Sequence, residues 1–222
     1  MSARRTAGSP PACYHPPVPE RFPDITGALI AGGRAMRMGG LAKGLLQVDG
    51  EPLAARALRF FEAHLGGALL VTNDPTPYAA LGVRTVPDIL TGKGAPAGLH
   101  AALASATTPW VLTVACDMPF LSEPGLRLLA GKRAGTQAVI PRWNGRLEPL
   151  HALWSRQALP AIERALREGT PSLWKLSDLI GATIVDEDEW ARIDPDGRAF
   201  ENVNTTEDAE RLGLEHRIPR DR

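Results

Sequence analysis

From Ile25 onward the sequence alternates short, almost wholly apolar runs with amphipathic segments at helical spacing, and that alternation leaves few folds open. A short run that is apolar throughout is buried on both faces, as happens in a parallel sheet with helices packed on each side. Residues 25–31 predict such a first strand. Ala54, Ala57, Leu58, Phe61 and Leu65 then form one apolar face of a helix over 52–65, with Arg56, Arg59 and Glu62 turned to solvent and Gly66-Gly67 ending it. Strands over 68–72, 83–86 and 110–115, with a helix over 96–105, continue the rhythm. Beyond them the pattern predicts a helix over 123–130, a strand over 138–141 and an Asn144-Gly145 turn leading into a strand over 147–154. Leu159, Ile162 and Leu166 mark another helix, and 205–212 a last one. The fold class expected is therefore α/β, a three-layer, Rossmann-like arrangement of a mostly parallel sheet with helices on both faces.

A chain of 222 residues with 44% hydrophobic content is long enough to bury one substantial core. No internal repeat and no Gly- or Ser-rich linker divides it, so 24–214 is expected to be a single domain. Residues 1–23, with Pro10, Pro11, Pro16, Pro17, Pro19 and Pro23 and almost no aliphatic side chains, are expected to be a disordered extension, and 215–222 a tail. Twenty-five basic residues against 25 acidic ones leave no global field to recruit nucleic acid or an anionic membrane, so any anion site must be local. Cys13 and Cys116 sit in unrelated contexts, which argues against a disulfide and for a reducing cytoplasmic setting. No stretch approaches the roughly 20 apolar residues of a membrane span.

Open parallel sheets bind ligands beyond the carboxyl ends of their strands, so the residues following each strand carry the chemistry. After the first strand come Gly32, Gly33, Gly39 and Gly40 interleaved with Arg34, Arg37 and Lys43, and no acidic residue occurs between Asp24 and Asp49. Glycines let a backbone turn sharply and aim N–H groups at phosphate oxygens, while the cations neutralise charge. The loop is not a Walker A motif, because Gly44 rather than Ser or Thr follows Lys43, and neither Gly32 nor Gly33 starts a G-x-G-x-x-G dinucleotide fingerprint. After the strand over 110–115 comes Cys116-Asp117-Met118-Pro119. Asp117 is placed either to hold a Mg²⁺ that bridges phosphate oxygens or to cap the helix beginning near Ser122. Cys116, with no histidine near it in sequence, reads as packing rather than as a nucleophile.

The runs Leu29-Ile30-Ala31-Gly32-Gly33, Arg37-Met38-Gly39-Gly40, Lys43-Gly44-Leu45, Cys116-Asp117-Met118-Pro119 and Asn202-Val203-Asn204-Thr205, in that order, resemble the molybdenum cofactor guanylyltransferases of the MobA-like nucleotidyltransferase family. The likeness extends over about 25–213. It implies a nucleotide-diphospho-sugar transferase-like fold and transfer of GMP from GTP to Mo-molybdopterin, with release of pyrophosphate. It further implies that Ile30, Ala31, Gly32 and Gly33 line the guanine and ribose side, that Lys43 holds phosphate, that Asn73 and Asp88 contact the nucleotide, and that Asp117 binds Mg²⁺. Arg37 and Lys43 would stabilise the leaving pyrophosphate, and Asn202 and Asn204 would close the acceptor side. Partners implied are GTP, Mo-molybdopterin, other molybdenum-cofactor biosynthesis proteins and apo-molybdoenzymes. Gly32-Gly33 resembles guanylyl enzymes, where cytidylyl enzymes tend to have Ala-Ala-Gly.

The sequence departs from that pattern at Gly94-Ala95-Pro96-Ala97-Gly98, where the family often has Gly-Pro-Leu-Ala-Gly, and at Glu148, where Gln is common. Several of the implied site residues also have plain structural readings. Asp88 and Asn73 suit turns, Asn204 or Thr205 suits a helix N-cap, and His151 in its apolar strand reads as a satisfied interior histidine. Trp110, Trp143, Trp154, Trp174 and Trp190 read as core anchors rather than pterin stackers. Two other functions stay open on the sequence alone: a nucleotidyltransferase with another acceptor or with CTP, and a nucleotide-binding cofactor chaperone without transfer chemistry.

Overall fold

The computed structural model describes residues 20–31, 42–213 and 216–217. Strand β1 (Phe22–Ile30) is the centre of the molecule, paired in parallel with β4 (Leu65–Val71) on one side and β6 (Trp110–Ala115) on the other. Its last six residues are all buried, as a strand covered on both faces requires. β1 also takes in Phe22 and Pro23, which the proline-rich composition assigns to the extension. Phe22 is buried opposite Leu65, and the ladder is irregular between Phe22 and Thr26. Pro23 packs against Gly66, where a Cβ would lie 2.0 Å from the Pro23 carbonyl oxygen.

Helix α1 (Leu53–His64) returns the chain from β1 to β4, which pairs with β5 (Thr85–Val86). Helix α2 (Ala95–Ser105) then carries it back across β1 to β6. This reversal beside β1 makes the carboxyl ends of β1 and β6 a topological switch point. Between the end of β1 and α1, strands β2 (Gln47–Val48) and β3 (Glu51–Pro52) form a hairpin closed by Asp49 and Gly50, both at positive φ. β11 (His216–Arg217) pairs with β2 to make a small second sheet.

The remainder extends the large sheet by hairpins. β6 leads through α3 (Glu123–Gly131) to β7 (Ala138–Trp143), and the positive-φ pair Asn144-Gly145 turns β7 into β8 (Arg146–Leu147). The single strand expected over 147–154 is broken: β8 ends at Leu147 and β9 (His151–Ser155) begins after a Glu148-Pro149-Leu150 link. Pro149 has no N–H to donate to a ladder. Its carbonyl instead accepts from Thr113 Oγ1 at 3.0 Å and Trp154 Nε1 at 3.1 Å. Short connections force antiparallel neighbours, so β9 runs antiparallel between β6 and β7. Helices α4 (Leu159–Glu168) and α5 (Leu173–Leu179) lead to β10 (Thr183–Val185), parallel to β7 at the sheet edge. Helices α6 (Glu187–Trp190) and α7 (Thr206–Arg211) follow β10 in the chain. The strand order is β10-β7-β9-β6-β1-β4-β5.

The two faces of β1 feed separate cores. Ile25 and Leu29 pack with Ala54, Ala57 and Phe61 of α1, Leu126 and Leu129 of α3, and Trp190. Ala28 and Ile30 pack with Leu99 and Leu103 of α2, Ile162 and Leu166 of α4, and Leu176 of α5. This is the expected three-layer α/β arrangement with a mostly parallel sheet. No helix among the described residues is long and apolar enough to cross a membrane. Gly27 faces the first core, where the Phe61 ring lies so close that an added Cβ would sit 2.3 Å from its Cγ.

His151 is buried at the start of β9 with its ring edge-on to Trp190 and Phe200, at centroid distances of 5.7 and 5.4 Å. The sequence predicts an interior histidine with its hydrogen bonds met. The residue is interior, but its Nδ1 has no partner among the described residues, because aromatic rings occupy the space around it. Burial holds its pKa down at about 4, with Asp194 opposing only weakly, so the ring is neutral at physiological pH.

Gly27→Val should cost about 3 kcal/mol or more in urea unfolding, the upper range for overpacking a core, with partial recovery in a Phe61→Leu background. For His151, the folded pKa lies below the ordinary value of 6.5, so the unfolded chain takes up a proton that the native site refuses. Its contribution is complete above pH 6.5 and falls away toward about pH 4. His151→Leu should flatten the acid loss of stability over that window by about 3 kcal/mol, read as the difference in urea midpoints between variant and parent.

Candidate active site

Beyond the carboxyl end of β6 the chain turns at Cys116-Asp117, with Met118 N donating to the Ala115 carbonyl at 3.1 Å. Cys116 N donates to the Ile30 carbonyl at 3.1 Å, and Ala31 N donates to the Val71 carbonyl at 2.9 Å. The ends of β1, β4 and β6 are therefore stitched into one edge. Ser122, not Asp117, caps α3, its side chain accepting from Gly125 N at 3.2 Å. That leaves the Asp117 carboxylate free of a capping duty.

Asp117 meets two other residues far from it in sequence. The Lys43 ammonium lies 3.6 Å from its Oδ2 and also donates to Asn204 Oδ1. Val203 N donates to the Asp117 carbonyl at 2.8 Å, which fastens the Asn202–Asn204 stretch alongside the turn. Asn204 keeps its side chain for Lys43 because Thr205 is the N-cap of α7. Thr205 and Asp208 form a reciprocal capping box, and Asp208 also accepts from Asn204 N at 2.9 Å. Asn202 stays outside this contact, its amide donating to the Phe200 carbonyl at 3.5 Å.

A second pair forms at the ends of β4 and β5. Asn73 Nδ2 donates to Asp88 Oδ2 at 2.8 Å, and Asp88 N donates to Asn73 Oδ1 at 2.9 Å. The turn after β4 is made by Asp74, which accepts from Thr76 N at 3.0 Å, while the Asn73–Asp88 pair ties the ends of β4 and β5 together. β4 and β6 flank β1, so the two groups lie on opposite sides of β1. Ile30 ends β1 with its side chain turned into the α2 core, where a Cβ on Gly98 would come within 2.9 Å of Ile30 Cγ2. Gly98 thus permits the close approach of α2, whose N-terminus opens on the same edge. Gly32, Gly33, Arg34 and Arg37 lie outside the described residues.

The thiol of Cys116 is buried and pushed up to about 12, first by burial and then by the Asp117 charge. It is a packed thiol and not a nucleophile. Glu148, in the link before β9, is pushed up to about 7 by burial, with Arg146 opposing.

A buttress that the sequence did not flag carries the Asn202–Asn204 stretch. Asp194 Oδ2 accepts from Trp190 Nε1 at 3.3 Å and Ala199 N at 2.9 Å, and its Oδ1 accepts from Arg198 N at 3.0 Å. Gly197, at φ +62°, lies flat on the Trp143 ring, where a Cβ would be 2.0 Å from Cε2. The Arg198 guanidinium stacks on Phe120 at 4.4 Å, tying this turn to the segment after β6. The signal was present as Asp194-Pro195-Asp196-Gly197, a run of turn formers.

A single carboxylate beside an ammonium, at a switch point, suits a metal-bound polyphosphate. Mg²⁺ is commonly held by one or two carboxylates together with substrate phosphates rather than by an all-protein cage. Among the described residues no group of three or more His, Cys, Asp and Glu side chains could hold a metal, so Asp117 fits the first kind of site only.

Comparison with known proteins agrees with this geometry. The family model described as the MobA-like NTP transferase domain matches residues 27–182. A probable molybdenum cofactor guanylyltransferase from Pelotomaculum thermopropionicum is 33% identical over 183 residues, covering 82% of this chain and 89% of the relative. The crystal structure of the molybdopterin-guanine dinucleotide biosynthesis protein A from Archaeoglobus fulgidus superposes with a TM-score of 0.70 at 26% identity, covering 84% of this chain and 95% of that one. The 2-C-methyl-D-erythritol 4-phosphate cytidylyltransferase of Thermus thermophilus shares the fold, with a TM-score of 0.58 at 20% identity, covering 84% of this chain and 97% of that one. With its switch-point site, its sheet order and a matched region that spans most of the described domain, the chain belongs to the family of MobA-like NTP transferase domains.

Proposed function

We propose that this protein transfers GMP from GTP to Mo-molybdopterin, forming the guanine dinucleotide form of the cofactor and pyrophosphate. The observation that carries the reading is the meeting of Lys43, Asp117 and Asn204 at the carboxyl edge of β1 and β6, in a chain of this family. The acceptor phosphate is already an anion at neutral pH, so in-line attack on the α-phosphorus of GTP needs no general base and no covalent enzyme intermediate. What the protein must supply is orientation and stabilisation of charge on the leaving pyrophosphate.

Those tasks divide among named residues. Lys43, with Arg37 and the N–H groups around Gly32 and Gly33, neutralises the triphosphate. Asn73 and Asp88, with Ile30 and Ala31, bound the nucleoside side, and Asn202 and Asn204 bound the acceptor side. Asp117 is the residue that would hold Mg²⁺, whose contribution when bound is to polarise phosphate oxygens and offset their charge. A metal–phosphate pair offers charges opposite to those of Asp117 and Lys43, so each group can exchange its present partner for substrate. The setting consistent with this reading is cytoplasmic, with other molybdenum-cofactor biosynthesis proteins and apo-molybdoenzymes as partners for supply and delivery.

Incubation with Mg-GTP and Mo-molybdopterin should yield the guanine dinucleotide by mass spectrometry, with CTP a poor substitute. Equal product from CTP, or GTP binding with no pyrophosphate released, would sink the assignment. Asp117→Ala should lower kcat by about 100-fold or more, and Lys43→Ala should lower kcat/KM for GTP on a similar scale, as for loss of one charge-stabilising group. Wild-type turnover in either variant would remove that residue from the machinery.

A further inference from the structure

The turn that carries Lys43 rests on a side chain to which the reaction described above gives no task. Lys43–Leu45 form one 3-10 turn, with Leu45 N donating to the Ala42 carbonyl at 2.8 Å and Leu46 N to the Lys43 carbonyl at 3.0 Å. Gly44, buried in its middle, has little room for a side chain. A Cβ there would stand 3.1 Å from Tyr78 Cε1, 3.2 Å from the Tyr78 hydroxyl oxygen and 3.3 Å from Ala54 Cβ on α1. The backbone of the turn therefore lies against the phenol, next in sequence to the lysine whose ammonium meets Asp117 and Asn204.

Tyr78 holds its place without help from that turn. It lies in the segment after β4, in a 3-10 turn over Thr76–Leu81, where Tyr78 N donates to the Pro75 carbonyl at 3.0 Å. The Asp74 side chain fixes the start of the segment by accepting from Thr76 N. The same stretch opens at Asn73, which bonds to Asp88, so the nucleoside side and the support of the Lys43 turn share one short piece of chain.

Tyr78 is 3% exposed, and its hydroxyl is sealed from solvent with no hydrogen-bond partner among the described residues. Burial pushes its pKa up, so the group stays a neutral phenol, and the Gly44 N–H works against that rise. The N–H thus faces the phenol oxygen without closing a hydrogen bond to it. A buried polar group left unbonded costs stability. Phenylalanine would fill the same space without that cost, so the hydroxyl is explained by a bond it makes elsewhere in the reaction cycle.

We propose that Tyr78 is a positioning residue for Lys43: its ring sets the height of the Lys43-Gly44 turn, and its hydroxyl accepts from Gly44 N–H when Lys43 leaves Asp117 and Asn204 for the triphosphate. The inference rests on guanylyl transfer from GTP, which supplies that triphosphate. A bond closed only when Lys43 engages phosphate favours the engaged arrangement over the other, and it does so through Lys43 rather than through the stability of the fold.

The test is steady-state kinetics of the full chain and its Tyr78→Phe, Lys43→Ala and doubly substituted forms, titrating GTP at saturating Mo-molybdopterin, with the Tm of each. Tyr78→Phe should lower kcat/KM for GTP by about 10-fold, the scale of one hydrogen bond. Its Tm should equal or exceed the parent's, because an unbonded buried hydroxyl has been removed. In the Lys43→Ala background the same substitution should change kcat/KM for GTP by less than about twofold, since the group it positions is gone. A purely structural role would instead lower the Tm and act equally in both backgrounds. A kcat/KM for Tyr78→Phe within about twofold of the parent, a lowered Tm, or the full loss repeated without Lys43 overturns the inference while leaving guanylyl transfer intact. Failure of the unsubstituted protein to form the guanine dinucleotide overturns the functional reading, and this inference with it.

Discussion

Pairing β1 in parallel with β4 and β6 at once is the constraint from which the rest of the molecule follows. A strand with neighbours on both edges and a core on both faces can have no polar side chain that lacks an internal partner. Thr26, the polar exception among its buried residues, bonds to Thr108 at 2.7 Å. Because parallel neighbours need long crossovers, α1 and α2 must lie on opposite faces to reach β4 and β6. The reversal between those crossovers then leaves a gap at the carboxyl edge that polar loops fill. Function sits where the fold cannot close its own surface.

The site proposed at that gap is assembled from segments with little in common locally. Lys43 follows the loop after β1, Asp117 ends β6, and Asn204 precedes α7, 161 residues along the chain from Lys43. Each is held by its own device: the short hairpin behind Lys43, the Ser122 cap that releases Asp117, and the Thr205–Asp208 box that frees the Asn204 amide. Aromatic packing of Trp143, Phe200 and Trp190 beneath the last segment, with Asp194 binding its turn, gives that segment a rigid floor. The neutral His151 between those rings belongs to this floor and not to the chemistry. Proton transfer by His151 and nucleophilic attack by Cys116 are both closed off by burial, which leaves an electrostatic site, as phosphate transfer between anions demands.

Much of the framework was legible locally. The buried strands, the amphipathic α1 and the Asn144-Gly145 hairpin depend on periodicity and turn chemistry, which neighbouring residues specify. Asp49-Gly50 is an equally clear hairpin signal, and Asp194-Pro195-Asp196-Gly197 an equally clear turn. The strand over 147–154 is interrupted because Pro149, within its apolar run, has no N–H to give a ladder. α5, β10 and α6 were missed because short elements at a sheet edge owe their form to packing on β7 and the two cores rather than to their own pattern.

By itself the sequence determined the fold class, the strands that carry the site and the residue types at their ends, because burial and turn formation are read within a few positions. It left Asp117, Asp88, Asn73 and Asn204 each with a structural alternative. Only the tertiary structure shows which partners those side chains have, because long-range contacts are not written in the local sequence. Ser122 caps α3, Asp74 makes the turn after β4, and Thr205 caps α7, while Asp117 and Asn204 meet at Lys43 and Asn73 bonds to Asp88.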